Sequence, residues 1–243
     1  MIGWLILGLI LLFLFLYSVM PNLMTRVWKI GCIYRGFAEP VVYLTFDDGP
    51  HPEYTPQLLD ILREKHVRAT FFVIAEAADR YPDIIRRMVS EGHDVEVHGD
   101  RHWFVPLLPP SLANRQWRGA SQKLQRKFSL QTSFYRPTWG LCNLASFVSI
   151  RKSHHKLVTW SIMVGDWRKT PAQTLVERVV SRLHKGAIIV LHDNDITFGA
   201  ELGAPVSVLE AIPKIIEQTE DKGYQFRPMR SLLKEEGKPL SML

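Results

Sequence analysis

The chain reads as an α/β protein: a β/α barrel of about seven parallel strands, preceded by one N-terminal transmembrane helix. Three observations carry this reading. Residues 2 to 20 contain no charge. From residue 41 onward, short apolar runs alternate with amphipathic stretches of helical period. Ionisable residues recur directly after the strand-like runs. A hydrophobic share of 47% with 22% charged residues excludes a disordered or collagen-like chain. Two cysteines, Cys32 and Cys142, exclude a disulfide scaffold and a four-cysteine zinc site. The net charge of +6 fits an anionic surface such as lipid or wall polymer. No basic run marks a nucleic-acid groove, so no nucleic-acid partner is expected, and no protein partner is inferable.

As a helix, residues 2 to 20 span about 28 Å, close to the thickness of a bilayer core. No basic residue precedes them, and Tyr17-Ser18-Val19-Met20-Pro21 lacks the small-x-small pattern of a cleaved signal. An uncleaved anchor over residues 1–20, contacting membrane lipid, is expected. Arg26, Lys29 and Arg35 follow it, which by the positive-inside rule points the rest of the chain inward. Residues 21–36, with Pro21, Gly31 and Gly36, read as a juxtamembrane linker. The main domain is expected over 37–230 and a polar tail over 231–243.

Within the domain the sequence predicts strands over 41–46, 69–74, 94–97, 133–135, 157–163, 187–191 and 224–226. Helices are predicted over 56–65, 82–91, 111–128, 171–185 and 205–222. Pro56, Pro82, Pro171 and Pro205 open four of them, where a missing N–H costs nothing, and Gly92 and Gly186 close two. Leu58, Leu59, Ile61 and Leu62 give the first an apolar inner side. Strands separated by helices argue for parallel β/α units, and about seven in roughly 200 residues fit a small barrel better than an open sheet.

In parallel β/α folds the C-terminal ends of the strands share one face, and active sites are built there. Asp47 and Asp48 follow the first strand, His98 the third with His102 four residues on, and Arg136 the fourth. Asp166 follows the strand containing Trp160, and His192 and Asp193 follow the next. Two imidazoles with a nearby carboxylate suit zinc or a neighbouring transition metal and leave positions open for water and substrate. A second carboxylate can take a proton from water activated by the metal, and His192 can return one to a leaving group.

These residues carry a resemblance. Thr45-Phe46-Asp47-Asp48-Gly49-Pro50 resembles the first motif of the polysaccharide deacetylases, the carbohydrate esterase family 4 domain. His98-Gly99-Asp100-Arg101-His102 is similar to the second, and Arg136-Pro137-Thr138-Trp139-Gly140 to the third. Asp166-Trp167 and Leu191-His192-Asp193 resemble the fourth and fifth, and all five occur in family order over residues 41 to about 228. The resemblance implies a distorted β/α barrel and metal-dependent removal of an N-acetyl or O-acetyl group from a sugar. It implies that Asp48, His98 and His102 hold one divalent ion, most simply zinc. Asp47 would be the general base, held charged by Arg136, and His192 the general acid, oriented and kept protonated by Asp166. The Trp139 N–H would help stabilise the oxyanion, and Trp167 and Leu191 would line the acetyl pocket. Three positions depart from the pattern: Gly99 stands for a serine or threonine, Thr138 for a proline, and Met163 for an aspartate.

The expected activity is deacetylation of a polymeric amino sugar, a peptidoglycan or chitin-like glycan. One alternative is deacetylation or deformylation of a lipid-linked sugar at the cytoplasmic membrane face, favoured by the charges after the anchor. The family habit instead favours a domain outside the cell. Another is a non-catalytic glycan-binding module, which predicts the loss of a base, acid or ligand. Trp103, Trp139 and Trp167 sit beside motif residues and could stack on sugar rings or pack in the core, with Trp103 evenly placed between the two.

Overall fold

Strand β1, Val41–Asp47, is buried along its whole length. Val42, Leu44 and Phe46 point into a core shared with Leu58, Leu59 and Leu62 of helix Tyr54–Glu64 and Ile212, Ile215 and Ile216 of helix Ala204–Asp221. Val41 and Tyr43 join a second core with Phe72, Phe134, Ile188 and Met229. Side chains alternate along a strand, so a strand apolar on both faces must be covered on both. Helices cover one face, and the curl of the sheet itself covers the other.

The computed structural model describes residues 1–234. After β1 come β2 (Thr70–Ile74), β3 (Asp94–Gly99), β4 (Phe134–Tyr135), β5 (Lys156–Leu157), β6 (Ile162–Met163), β7 (Ile188–His192) and β8 (Gln225–Phe226). The order is β5-β4-β3-β2-β1-β7-β6, with β8 pairing the start of β1. All these pairings are parallel. The barrel is thus distorted and incomplete, with β5 and β6 as its open edges.

That opening corrects the single strand expected over 157–163. Lys156–Leu157 pairs with β4 on one edge and Ile162–Met163 with β7 on the other. Ile33 fills part of the gap: its N–H donates to Leu157 O, and its carbonyl accepts from Thr159 N–H. Cys32 and Ile33 are buried, so the end of the segment expected as a linker packs against the domain, while Val27 and Trp28 stay exposed.

The N-terminal helix runs Ile2–Val27, past the expected end at residue 20, and is long and apolar enough to cross a membrane. Its turns widen over Phe15–Val19 and Leu23–Val27, on either side of Pro21. A proline inside a helix removes one N–H and crowds the preceding turn. From Tyr17 onward the helix bonds to the domain. Tyr17 Oη donates to Leu108 O, Ser18 Oγ to Pro106 O, and Asn22 Nδ2 to Cys142 O.

Helices Ala75–Arg80 and Leu144–Arg151 are not predicted from the sequence. The second buries Phe147 and Ile150 but exposes Leu144 and Val148, so it has no one-sided apolar stripe to read. Asn143 caps it, its side chain accepting from Ser146 N–H while Ser146 Oγ accepts from Asn143 N–H. The predicted polar tail begins as structure: Ser231–Lys234 is a helical turn with Leu232 buried in the barrel interior. Residues 235–243 of that tail lie outside the described residues.

Candidate active site

The inward positions that make the barrel floor apolar continue upward and become the site. In β1 they run Val41, Tyr43, Thr45, Asp47; in β7, Ile188, Val190, His192. Asp47 and His192 are register partners on neighbouring strands, so parallel pairing sets them side by side. By the same alternation Phe134 of β4 faces inward, and Arg136 follows it two residues later.

Arg136 is fully buried, where a cation is costly unless paired; its two Nη groups are, while its Nε has no partner among the described residues. Its Nη1 donates to Asp47 Oδ1 at 2.6 Å and to Thr45 Oγ1 at 2.7 Å. Its Nη2 donates to Thr159 O at 3.2 Å. The guanidinium carbon lies 4.1 Å from the centroid of the Phe72 ring beneath it.

Asp48, His98 and His102 each offer one ligand atom, all within 4.8 Å of one another. Asp48 Oδ1 lies 3.1 Å from His98 Nε2 and 3.2 Å from His102 Nε2. His98 Nδ1 lies 2.7 Å from the Arg136 carbonyl, which can only accept, so Nδ1 carries the proton. In the neutral ring Nε2 then turns a lone pair toward the carboxylate. Asp48 Oδ1 has no hydrogen-bond partner among the described residues. Burial disfavours the Asp48 carboxylate; only positive charge on the facing imidazoles, whose place a bound cation would take, outweighs burial and holds its carboxyl well below the usual range. Two imidazole nitrogens and one carboxylate oxygen are a donor set for zinc or a similar divalent ion, which would satisfy all three atoms.

Loops hold this trio. Thr197 Oγ1 donates to Asp48 Oδ2 at 2.8 Å, and Asn194 Nδ2 to Asp48 O at 3.1 Å. Asp193 is buried below the loop and accepts from Thr55 Oγ1 at 2.5 Å. Burial, with the charge of Asp48, pushes the Asp193 carboxyl up to about 7. A Cβ on Gly49 would stand 2.3 Å from Asp193 Oδ2, so the turn after Asp48 closes this tightly only with glycine. Gly99 has a similar reason. Gln116 Oε1 accepts from the N–H groups of Asp100 and Arg101 at 3.1 and 3.2 Å, bracing the loop between the histidines. A Cβ at Gly99 would lie 2.9 Å from that oxygen.

Asp166 is buried behind His192. Its Oδ2 accepts from His192 N–H at 2.7 Å and lies 3.1 Å from His192 Nδ1. Burial disfavours the imidazolium, but Asp166 foremost, with Asp48 and Asp47, raises the His192 pKa to about 10. Trp167 stands edge-on to His192, with ring centroids 5.9 Å apart.

The cleft above these groups is lined by Trp139, Trp167, Met163, Val190 and Phe198, among others. One expectation is corrected. Leu191 does not line the cleft; it is fully buried in the helix-facing core, because period-two alternation from His192 turns residue 190 inward and 191 outward. Trp103 is not among the lining residues either; its carbonyl accepts from Thr138 Oγ1 at 2.5 Å and Arg101 lies over its ring. Sequence reading missed Thr45, Thr159, Asn194, Thr197 and Arg26. Thr45 was recoverable from its inward position in β1, two residues before Asp47. Arg26 was not: it reaches the cleft from the N-terminal helix, its Nη1 donating to Trp139 O and Gly140 O, both at 3.4 Å.

Comparison with known proteins bears on this arrangement. The sequence profile of a family described as polysaccharide deacetylase matches residues 35–157. A peptidoglycan-N-acetylglucosamine deacetylase of Bacillus cereus is 31% identical over 199 residues, covering 81% of this chain and 89% of the relative. A chitooligosaccharide deacetylase of Sinorhizobium fredii is 31% identical over 198 residues, covering 80% and 92%. Among solved structures, a peptidoglycan N-acetylglucosamine deacetylase in complex with an N-oxidanyl-benzamide superposes with a TM-score of 0.78. That match has 29% identity and covers 86% of this chain and 95% of the other.

Proposed function

This chain belongs to the polysaccharide deacetylase family, and we propose that it removes N-acetyl groups from a polymeric amino sugar, peptidoglycan or a chitin-like glycan, with a divalent metal ion held by Asp48, His98 and His102. Membership makes the protein a hydrolase of carbon–nitrogen bonds other than peptide bonds, acting on carbohydrate acetyl groups. The observation that carries the metal reading is the His98 tautomer. With Nδ1–H committed to the Arg136 carbonyl, Nε2 and Asp48 Oδ1 face each other as acceptors 3.1 Å apart.

When bound, the ion supplies Lewis acidity at the acetyl carbonyl. Asp47 takes the proton of the attacking water, oriented by the 2.6 Å hydrogen bond from Arg136. His192 is the general acid. It enters the reaction as imidazolium, which its raised pKa supports, and gives its proton to the departing amine nitrogen. That proton is needed because an amide anion is too basic to leave. Asp166 orients His192 through Nδ1 and compensates its charge. The Trp139 N–H stands to receive the developing oxyanion. Trp139 and Trp167 give the cleft aromatic walls for a sugar ring, and Val190 and Met163 give it apolar surface for the acetyl methyl. Every acid, base and ligand position is filled, which weighs against a binding-only module.

The N-terminal helix is read as a single-pass membrane anchor. Peptidoglycan lies outside the membrane, so the domain is placed on the outer face, a reading that a topology reporter fused after Leu243 checks. The activity is tested by incubating the purified protein with N-acetylated chitooligosaccharide and with isolated peptidoglycan, measuring acetate and free amine. Equal molar release of both is expected. Acetate without amine would mean ester hydrolysis, and neither product would refute the proposal.

A further inference from the structure

The anchor helix joins the domain in a way that fixes how near the site lies to lipid. Ile2 to Leu16 project free of the domain, and from Tyr17 the same apolar helix is held by it. The uncharged sequence continues to Thr25, so the helix has apolar length to cross. Yet from Tyr17 that length is already held by the loop at Pro106–Leu108 and by Cys142 and Asn143. The parts of the domain gripping the Tyr17–Asn22 stretch therefore lie directly beside the apolar helix where it meets the domain.

Those parts suit lipid. Residues 103–114 and 137–150, which supply every one of these contacts, contain no charged side chain. Between the carbonyls that take Tyr17 and Ser18, Leu107 is 67% exposed. Beside Tyr17, helix Leu144–Arg151 turns out Leu144 and Val148, exposed 41% and 39%, and Lys152 lines the same groove, placed to reach up to headgroups. No acidic residue precedes Glu39, whereas Arg26, Lys29 and Arg35 do. Nine residues beyond Tyr17, about 14 Å along the helix axis, Arg26 lines the catalytic cleft.

We propose that the face formed by Leu107, Leu144 and Val148 around the anchor is seated in the lipid surface, so that the catalytic cleft works on amino sugars lying against the membrane. This rests on the reading of Ile2–Val27 as a spanning helix. Seating buries side chains otherwise exposed to water and holds the cleft within a few sugar rings of the headgroups.

The test uses the full chain in vesicles of phosphatidylethanolamine and phosphatidylglycerol. Spin labels are attached singly in Ile10→Cys, Leu107→Cys, Val148→Cys and Gln218→Cys; Cys32 and Cys142 are buried and leave the background unlabelled. Relaxation by oxygen, which concentrates in lipid, is compared with relaxation by a water-soluble nickel chelate. Oxygen is expected to dominate at 10, 107 and 148, and nickel at the water-exposed 218. Nickel dominance at 107 and 148 with oxygen dominance at 10 would overturn the seating and leave the anchor standing. Nickel dominance at 10 would overturn the anchor and the seating with it.

Discussion

Arg136 shows how one buried side chain joins floor to site. It lies on Phe72 below, is held by Thr45 and Thr159 at its own level, and meets Asp47 above. Asp47→Asn keeps the shape of that contact and removes the proposed base. Turnover is expected to fall by roughly two or more orders of magnitude while metal content is unchanged. Near wild-type turnover at full metal content would remove Asp47 from the base role. The Asp166–His192 pair makes a prediction in pH. Because the His192 pKa is raised from 6.5 to about 10, the pair's stabilisation is fully present below about pH 6.5 and is lost as pH rises through about 10. Asp166→Asn keeps an acceptor oxygen but removes the charge. The alkaline limb of kcat is then expected to move to lower pH by about one unit or more, and thermal stability should depend less on pH within that window. An unmoved limb would mean that Asp166 does not keep the acid protonated.

At the scale of elements, the turn after β4 carries Trp139 and Gly140 in the left-handed region, with φ of 62° and 65°. A Cβ on Gly140 would stand 2.3 Å from Trp160 Cη2 and 2.8 Å from Arg26 Nη1. Gly140→Ala must therefore displace the Trp160 ring or the turn. A cost of about 1–3 kcal/mol is expected, lowering Tm by roughly 3–10 °C, together with reduced kcat/KM because the Trp139 wall moves. A melting curve and turnover matching wild type would show that the turn yields freely. The same turn marks the limit of sequence reading. Strands and most helices were legible because local signals set them: β-branched runs, opening prolines, closing glycines. The break between β5 and β6 was not, because Val158 and Thr159 are strand-prone residues whose pairing is decided by the open barrel edge and by Ile33 far away in the chain. Helix Leu144–Arg151 stayed hidden because it contacts the domain on one side and offers apolar residues on the other.

For the whole molecule, the site was more legible than the setting around it. Asp47, Asp48, His98, His102, Arg136, Asp166 and His192 each follow or end a strand, and parallel pairing alone carries them to one rim. Leu191 belongs to the core because the alternation counted back from His192 turns 190 inward and 191 outward. Arg26 and the contacts of the N-terminal helix were invisible, since they depend on that helix folding back along the domain, which no local pattern encodes. The central claim is that this rim deacetylates an amino sugar with one divalent ion on Asp48, His98 and His102. It is tested most directly by stripping the protein with a chelator and titrating zinc back while following acetate release from N-acetylated chitooligosaccharide. The account predicts no release from the stripped protein, then a linear rise that levels off at one equivalent, and no recovery at that level in His98→Ala. Full release without metal, or the same one-equivalent titration in His98→Ala, would contradict it.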